Sequence, residues 1–154
     1  MRRNDKEINS GEELASIIRE GAICRLAMID HGKPYIVPMH YGYDNGTLYF
    51  HSAPEGRKLE ILRVNPEVCF EIETGIELVT AETPCGWGAK FRSIIGYGTA
   101  SFIEDTAGKA AALAHIMTHY AGSGDFPFTE QEVSGVAVFS VTITSMTGKR
   151  SPAQ

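Results

Sequence analysis

The sequence predicts a mainly β domain, a barrel of about six strands with helices at its periphery. Three observations predict it: an Asn45-Gly46 pair between apolar runs, further runs in which inward and outward residues alternate, and one Ala-rich stretch long enough for a full helix.

The 154 residues are read as one domain spanning 1–154. A chain of this size buries roughly 70% of the surface its unfolded form exposes, so its core needs neither disulfides nor a structural metal. Lys and Arg number 14 against 19 Asp and Glu, a net charge of −5, and the isoelectric point is near 5.5. That balance argues against a general nucleic-acid binder, which needs a basic face to displace counterions. No run approaches the roughly 20 apolar residues of a membrane span. Cys24, Cys69 and Cys85 are odd in number and form no Cys-x-x-Cys pair, which suits a reducing compartment; the expected location is the cytoplasm.

Ser10 and Glu13 are spaced as a capping box before Leu14, Ile17 and Ile18, predicting a helix over 11–20 that ends at Gly21. Residues 22–29 read as a strand, Asp30-His31-Gly32-Lys33 as a turn, and Tyr35 to Tyr41 as the returning strand. Pro38 cannot donate to a ladder, so that strand is bulged or at an edge there. The Asn45-Gly46 hairpin starts a third strand near Thr47, which stops at His51. Arg57 to Asn65 has helical spacing and is closed by Pro66. Further β-rich runs lie at 68–72, 77–79, 91–103 and 136–143. Between the last two, Asp105 is an N-cap candidate for a helix reaching Tyr120, with Leu113, Ile116, Met117 and Tyr120 on one face. Cys24 and Cys69 read as buried small hydrophobes.

The stretch His51-Ser52-Ala53-Pro54-Glu55-Gly56-Arg57-Lys58 puts a hydroxyl and two adjacent cations where a strand hands over to a helix. Such a corner suits a phosphate, because a helix start favours an anion and Arg57 adds a bidentate fork beside the compact charge of Lys58. The same residues also read as ordinary capping: Ser52 and Glu55 have capping-box spacing, and Glu55 opposes an anion. His115-x-x-x-His119 has a spacing that can bind zinc, but it lacks the Glu of metalloprotease helices and a third ligand, and reads as a solvent-facing pair; no metal site is expected.

Residues 35–39, 46–59, 65–71 and 91–98 resemble the nitroimidazole-resistance (Nim-type) proteins of the FMN-binding split-barrel superfamily of pyridoxamine 5'-phosphate oxidase. The likeness runs from about residue 1 to 150 and includes the Arg2-Arg3 start and the tail Thr147-Gly148-Lys149-Arg150. The resemblance implies a split barrel with FMN in the groove of a homodimer. It implies that Arg57 and Lys58 hold the phosphate, that Val37, Pro38, Met39 and His40 line the flavin ring, and that His51 and Ser52 sit by the ring and ribityl phosphate. Arg92 and Ser93 take the place of an Arg-Gln pair that contacts the cofactor, Ser93 being a shorter departure. The oxidase's C-terminal Trp and Arg have no counterpart in Val138 to Gln154, which disfavours pyridoxamine oxidation.

The activity implied is that of an FMN-dependent oxidoreductase of the nitroreductase type, acting on small-molecule substrates such as nitroimidazoles or nitroaromatics, with NAD(P)H as a possible electron donor. His40 and His51 are the catalytic candidates, since they alone near the site change charge close to neutral pH. The alternatives are a non-catalytic flavin-binding or redox-carrier protein, a heme-binding split barrel with a His ligand, and a deazaflavin reductase. Cys85 and Trp87 fall in a loop that resembles a Cys-and-aromatic loop near the cofactor cleft of Nim-type relatives; with no adjacent cation, Cys85 reads as an unreactive thiol.

Overall fold

In the computed structural model, which describes residues 4–152, Ser10 caps the first long helix through its side chain, which accepts from the Glu13 N–H. This helix, α1, spans Gly11–Glu20 and follows a short strand, β1, at Glu7–Ile8. The Arg2-Arg3 start lies outside the described residues. Leu14, Ile17 and Ile18 form the buried face of α1, as their spacing predicts.

Strands β2 (Cys24–Asp30) and β3 (Lys33–Met39) form the first hairpin, β4 (Gly42–Asp44) and β5 (Thr47–Ser52) the second. Both turns have consecutive residues with positive φ, His31 and Gly32 at 48° and 80°, Asn45 and Gly46 at 43° and 80°. That pairing matches the right-handed twist of the flanking strands, and Asn and Gly tolerate it best. Helix α2 (Arg57–Val64) follows, then β6 (Glu67–Val79), β7 (Gly88–Ile103), α3 (Thr106–Ala121), α4 (Glu130–Ser134) and β8 (Ala137–Ser151).

The described strands form one antiparallel sheet in the order β3-β2-β6-β7-β8-β5-β4, with β1 added to β8. β3 and β4 are its two edges, so the barrel does not close. Pro38 lies on the edge strand β3 in an unbroken register with Arg25, which resolves the bulge-or-edge alternative in favour of the edge. Eight strands are described where about six were expected; β1 and β4 are the short ones. The runs 68–72 and 77–79 prove to be one strand, kinked where the register shifts between Thr74 and Glu77 around Gly75. The run 136–143 continues to Ser151, because the polar residues beyond Thr144 find backbone partners on β7 and β1.

Leu26, Phe50, Phe70, Ile94 and Phe139 fill the interior, with Phe50 and Phe139 stacked 5.2 Å apart. A smaller core of Ala112, Leu113, Ile116, Val133 and Val138 lies under α3. Met117 and Tyr120, expected on the same apolar face, remain 39% and 43% exposed, because Ala112 takes that place against the sheet. Cys24 is buried, but Cys69 is only half-buried, since it stands on the outer face of β6 opposite Tyr97. α3 sits very close to β4: a Cβ on Gly42 would lie 2.5 Å from the His115 carbonyl carbon and from the Ile116 nitrogen. No described helix is long and apolar enough to cross a membrane.

Candidate functional site

β5 delivers His51 and Ser52 to the corner from which α2 departs. The capping alternative fails there. Ser52 is a buried strand residue whose hydroxyl donates to the Ala53 carbonyl at 2.8 Å, and the N-cap is Gly56, at φ 139°, with no side-chain cap bond. The carbonyl of Gly56 accepts from Leu59 and Glu60, and no side chain caps the first N–H groups of α2, which a helix start leaves available to an anion.

His51 pairs with Val138 of β8 and is half-buried. Its Nδ1 is buried without a hydrogen-bond partner, the one such side-chain atom among the described residues. Burial, and then the nearby charges of His40 and Lys58, lower its pKa below the ordinary 6.5. His51, His40 and Lys58 therefore share one electrostatic neighbourhood, and His51 is a neutral imidazole at pH 7. With the folded value depressed, the unfolded chain binds more protons below about pH 6.5, so this contribution to stability is complete above that pH and is lost as pH falls through the folded value. The Tm should accordingly drop more between pH 7.5 and 5 in the wild type than in His51→Asn; equal drops would contradict the shift.

His40 is exposed and meets Tyr120 edge-on, ring centroids 5.1 Å apart. Tyr120 is itself fixed: its hydroxyl donates to the Ala22 carbonyl at 2.8 Å and accepts from the Tyr41 N–H at 3.1 Å. On β3, Val37 is half-buried and Met39 buried in the core, whereas Pro38 faces solvent. His115 and His119 do not form the solvent-facing pair expected of them. Both are half-buried, His115 stacked on Tyr49 at 4.7 Å and His119 against Tyr41, with its Nε2 2.8 Å from the Gly21 carbonyl. No cluster of metal-ligating side chains occurs among the described residues.

The two cations of the corner diverge. Lys58 is half-buried and its charge is felt at His51, whereas Arg57 turns to the β2–β3 hairpin, where Asp30 accepts from its Nε at 2.8 Å and its Nη2 at 2.7 Å and the guanidinium lies 4.4 Å from the centre of the Tyr35 ring. Asp30 is a site residue that sequence reasoning missed; it lies 27 positions from Arg57, and only the hairpin brings them together. Arg92 donates to the Ser16 hydroxyl at 3.3 Å and pairs with Glu20. Ser93 lies opposite Lys149 on β8, whereas His51 lies opposite Val138, so roughly 35 Å of strand separates the two groups within one chain. Cys85 is exposed in a short turn, and Trp87 is half-exposed, its indole N–H donating to the Ala81 carbonyl.

The profile of the pyridoxamine 5'-phosphate oxidase family matches residues 10–150. A crystal structure of a protein proposed to confer 5-nitroimidazole antibiotic resistance in Bacteroides thetaiotaomicron is 38% identical, covering 94% of this chain and 86% of that one, with a TM-score of 0.83. A flavocytochrome from Azotobacter vinelandii shares the fold at 22% identity, covering 97% of this chain and 71% of that one, TM-score 0.83. An uncharacterised protein of Rhizobium meliloti is 28% identical over 151 residues, 92% of this chain and 93% of its own.

Proposed function

The chain belongs to the pyridoxamine 5'-phosphate oxidase family, and on that premise we propose that it binds FMN and acts as a homodimeric, cytoplasmic reductase of small oxidised compounds such as nitroimidazoles. The observation that carries this reading is the unpartnered, buried Nδ1 of His51 at the corner between β5 and α2, whose helix start is free of any side-chain cap and carries Lys58 in its first turn. The corner fits a phosphorylated flavin: it offers a cation and an uncapped helix start, and β5 leads into it with a buried polar atom that still needs a partner.

A bound flavin supplies hydride or electron transfer, and the chain supplies grip, orientation and protons. Lys58 and the first N–H groups of α2 hold the phosphate, with Arg57 within reach on the same turn. Neutral His51, its Nδ1 unpartnered, would offer the cofactor one hydrogen bond there. Exposed His40, steadied by Tyr120, is placed to carry a proton from water to a reduced nitro oxygen. Arg92 and Ser93 come from the second copy, which explains how residues so distant along one chain serve one cofactor. NAD(P)H is the proposed electron donor. A relative described by its part in 5-nitroimidazole resistance supports the choice of substrate. Three free cysteines suit the reducing cytoplasm.

The test is the visible spectrum of the purified protein, with mass spectrometry of any released chromophore. A yellow protein that releases FMN and oxidises NAD(P)H when a nitroimidazole is added is the expected result. FMN held in stoichiometric amount without NAD(P)H oxidation would reduce the protein to a flavin carrier. A colourless protein that also fails to take up added FMN would overturn the flavin reading, and a Soret band on heme addition would replace it.

A further inference from the structure

We propose that the Asp30 carboxylate competes with the ligand's phosphate for the Arg57 guanidinium, and so sets how strongly the site prefers a phosphorylated flavin to an unphosphorylated one. The inference rests on the phosphate reading of the α2 corner given above. Asp30 ends β2, and the positive-φ turn at His31 and Gly32 sends the chain back into β3, which holds the carboxylate against the first turn of α2. One Asp30 oxygen accepts from both Nε and Nη2, occupying an edge of the guanidinium that would grip a phosphate side-on. The other oxygen lies 2.6 Å from His31 Nδ1, so Asp30 is held from both sides.

The two partners differ in access. The Asp30 side chain is 19% exposed and that of Arg57 57%, so the fixed member of the pair is the carboxylate and the movable one is the cation. A cavity of about 640 Å³ adjoins the pair, lined by Asp30, His31, Arg57, Glu60 and Val64, and gives the guanidinium room to turn. Carboxylate and phosphate are both anions and cannot share one edge of Arg57 without repulsion. A phosphate drawn in by Lys58 and the helix start therefore either takes Arg57 from Asp30 or binds without it. The exchange is cheap, since Arg57 is more than half exposed and an ion pair at the protein surface is weak.

The test is a set of dissociation constants for FMN and for riboflavin, measured by quenching of flavin fluorescence in the wild type, Asp30→Asn, Arg57→Ala and the double variant. Asp30→Asn should bind FMN about two- to fivefold tighter, the range an exposed ion pair sets, with riboflavin unchanged and the gain absent in the Arg57→Ala background. Asp30→Ser repeats the test should the amide fail to fold. Weaker or unchanged FMN binding in Asp30→Asn, where Arg57→Ala does weaken it, would overturn the proposal and make Asp30 an orienting partner. An equal gain with and without Arg57 would overturn it too, leaving a diffuse charge effect. If the wild type bound FMN no more tightly than riboflavin and Arg57→Ala altered neither, the phosphate reading itself would fall.

Discussion

Gly42→Ala should destabilise the protein by about 3 kcal/mol, at the upper end of what overpacking usually costs. The added Cβ would sit 2.5 Å from two backbone atoms of α3, the His115 carbonyl carbon and the Ile116 nitrogen. A side chain in the way can swing aside, but helix backbone can yield only by lifting α3 from β4. That movement would open the small core of Ala112, Leu113 and Ile116 and carry Tyr120 away from His40. Urea unfolding followed by circular dichroism measures the loss directly. An alanine variant within 0.5 kcal/mol of the wild type, the usual range for harmless surface changes, would mean that α3 tolerates a wider spacing than its packing indicates.

Lys58→Ala should weaken FMN binding by about 1.5 to 3 kcal/mol, a hydrogen bond to a charged group being worth that much; this corresponds to roughly 10- to 150-fold in affinity. Riboflavin, which has no phosphate, should bind as it does to the wild type. A second readout needs no ligand. The Lys58 charge is one cause of the depressed His51 pKa, after burial and His40, so its removal should raise that pKa toward the ordinary value. Proton NMR titration of the imidazole in the variant tests this. Unchanged FMN affinity would remove Lys58 from the phosphate site, and an unmoved His51 titration would separate the two side chains altogether.

Local chemistry made the hairpins and helix ends legible. Asn45-Gly46 and His31-Gly32 adopt the positive φ values that their residue types favour, and α1 runs over the predicted 11–20 between a serine cap and a glycine. What depends on partners distant in sequence was not legible. Residues 144–151 are mostly polar and carry no strand pattern, and they become a strand only because β7 lies alongside. Ser52 and Glu55 have the spacing of a cap, but β5 buries the serine first. Thr129 and Glu132 do form a capping box, yet α4 has Val133 as its buried residue and no periodic run announced it. At the candidate site the sequence located the corner and its cations, and the Nim-type likeness supplied their roles. It could not reveal that Arg57 is drawn to Asp30, which reaches it across a hairpin.

The position of β8 has a consequence for synthesis. Of the described strands, the last in chain order stands in the middle of the sheet, joining β7 to β5 and receiving β1, whose residues precede their partners by about 140 positions. Until β8 has left the ribosome, the sixteen-residue β7 presents a bare edge, and the β4–β5 hairpin, with only α3 to pack on, has no strand to join it to the rest of the sheet. The β2–β3, β4–β5 and β6–β7 pairings can form earlier, but joining the two parts of the sheet must wait for β8, and contacts so distant in sequence fold slowly. A ribosome that stops short of residue 137 leaves β7 unpaired along that whole side, a long bare edge of the kind that invites aggregation.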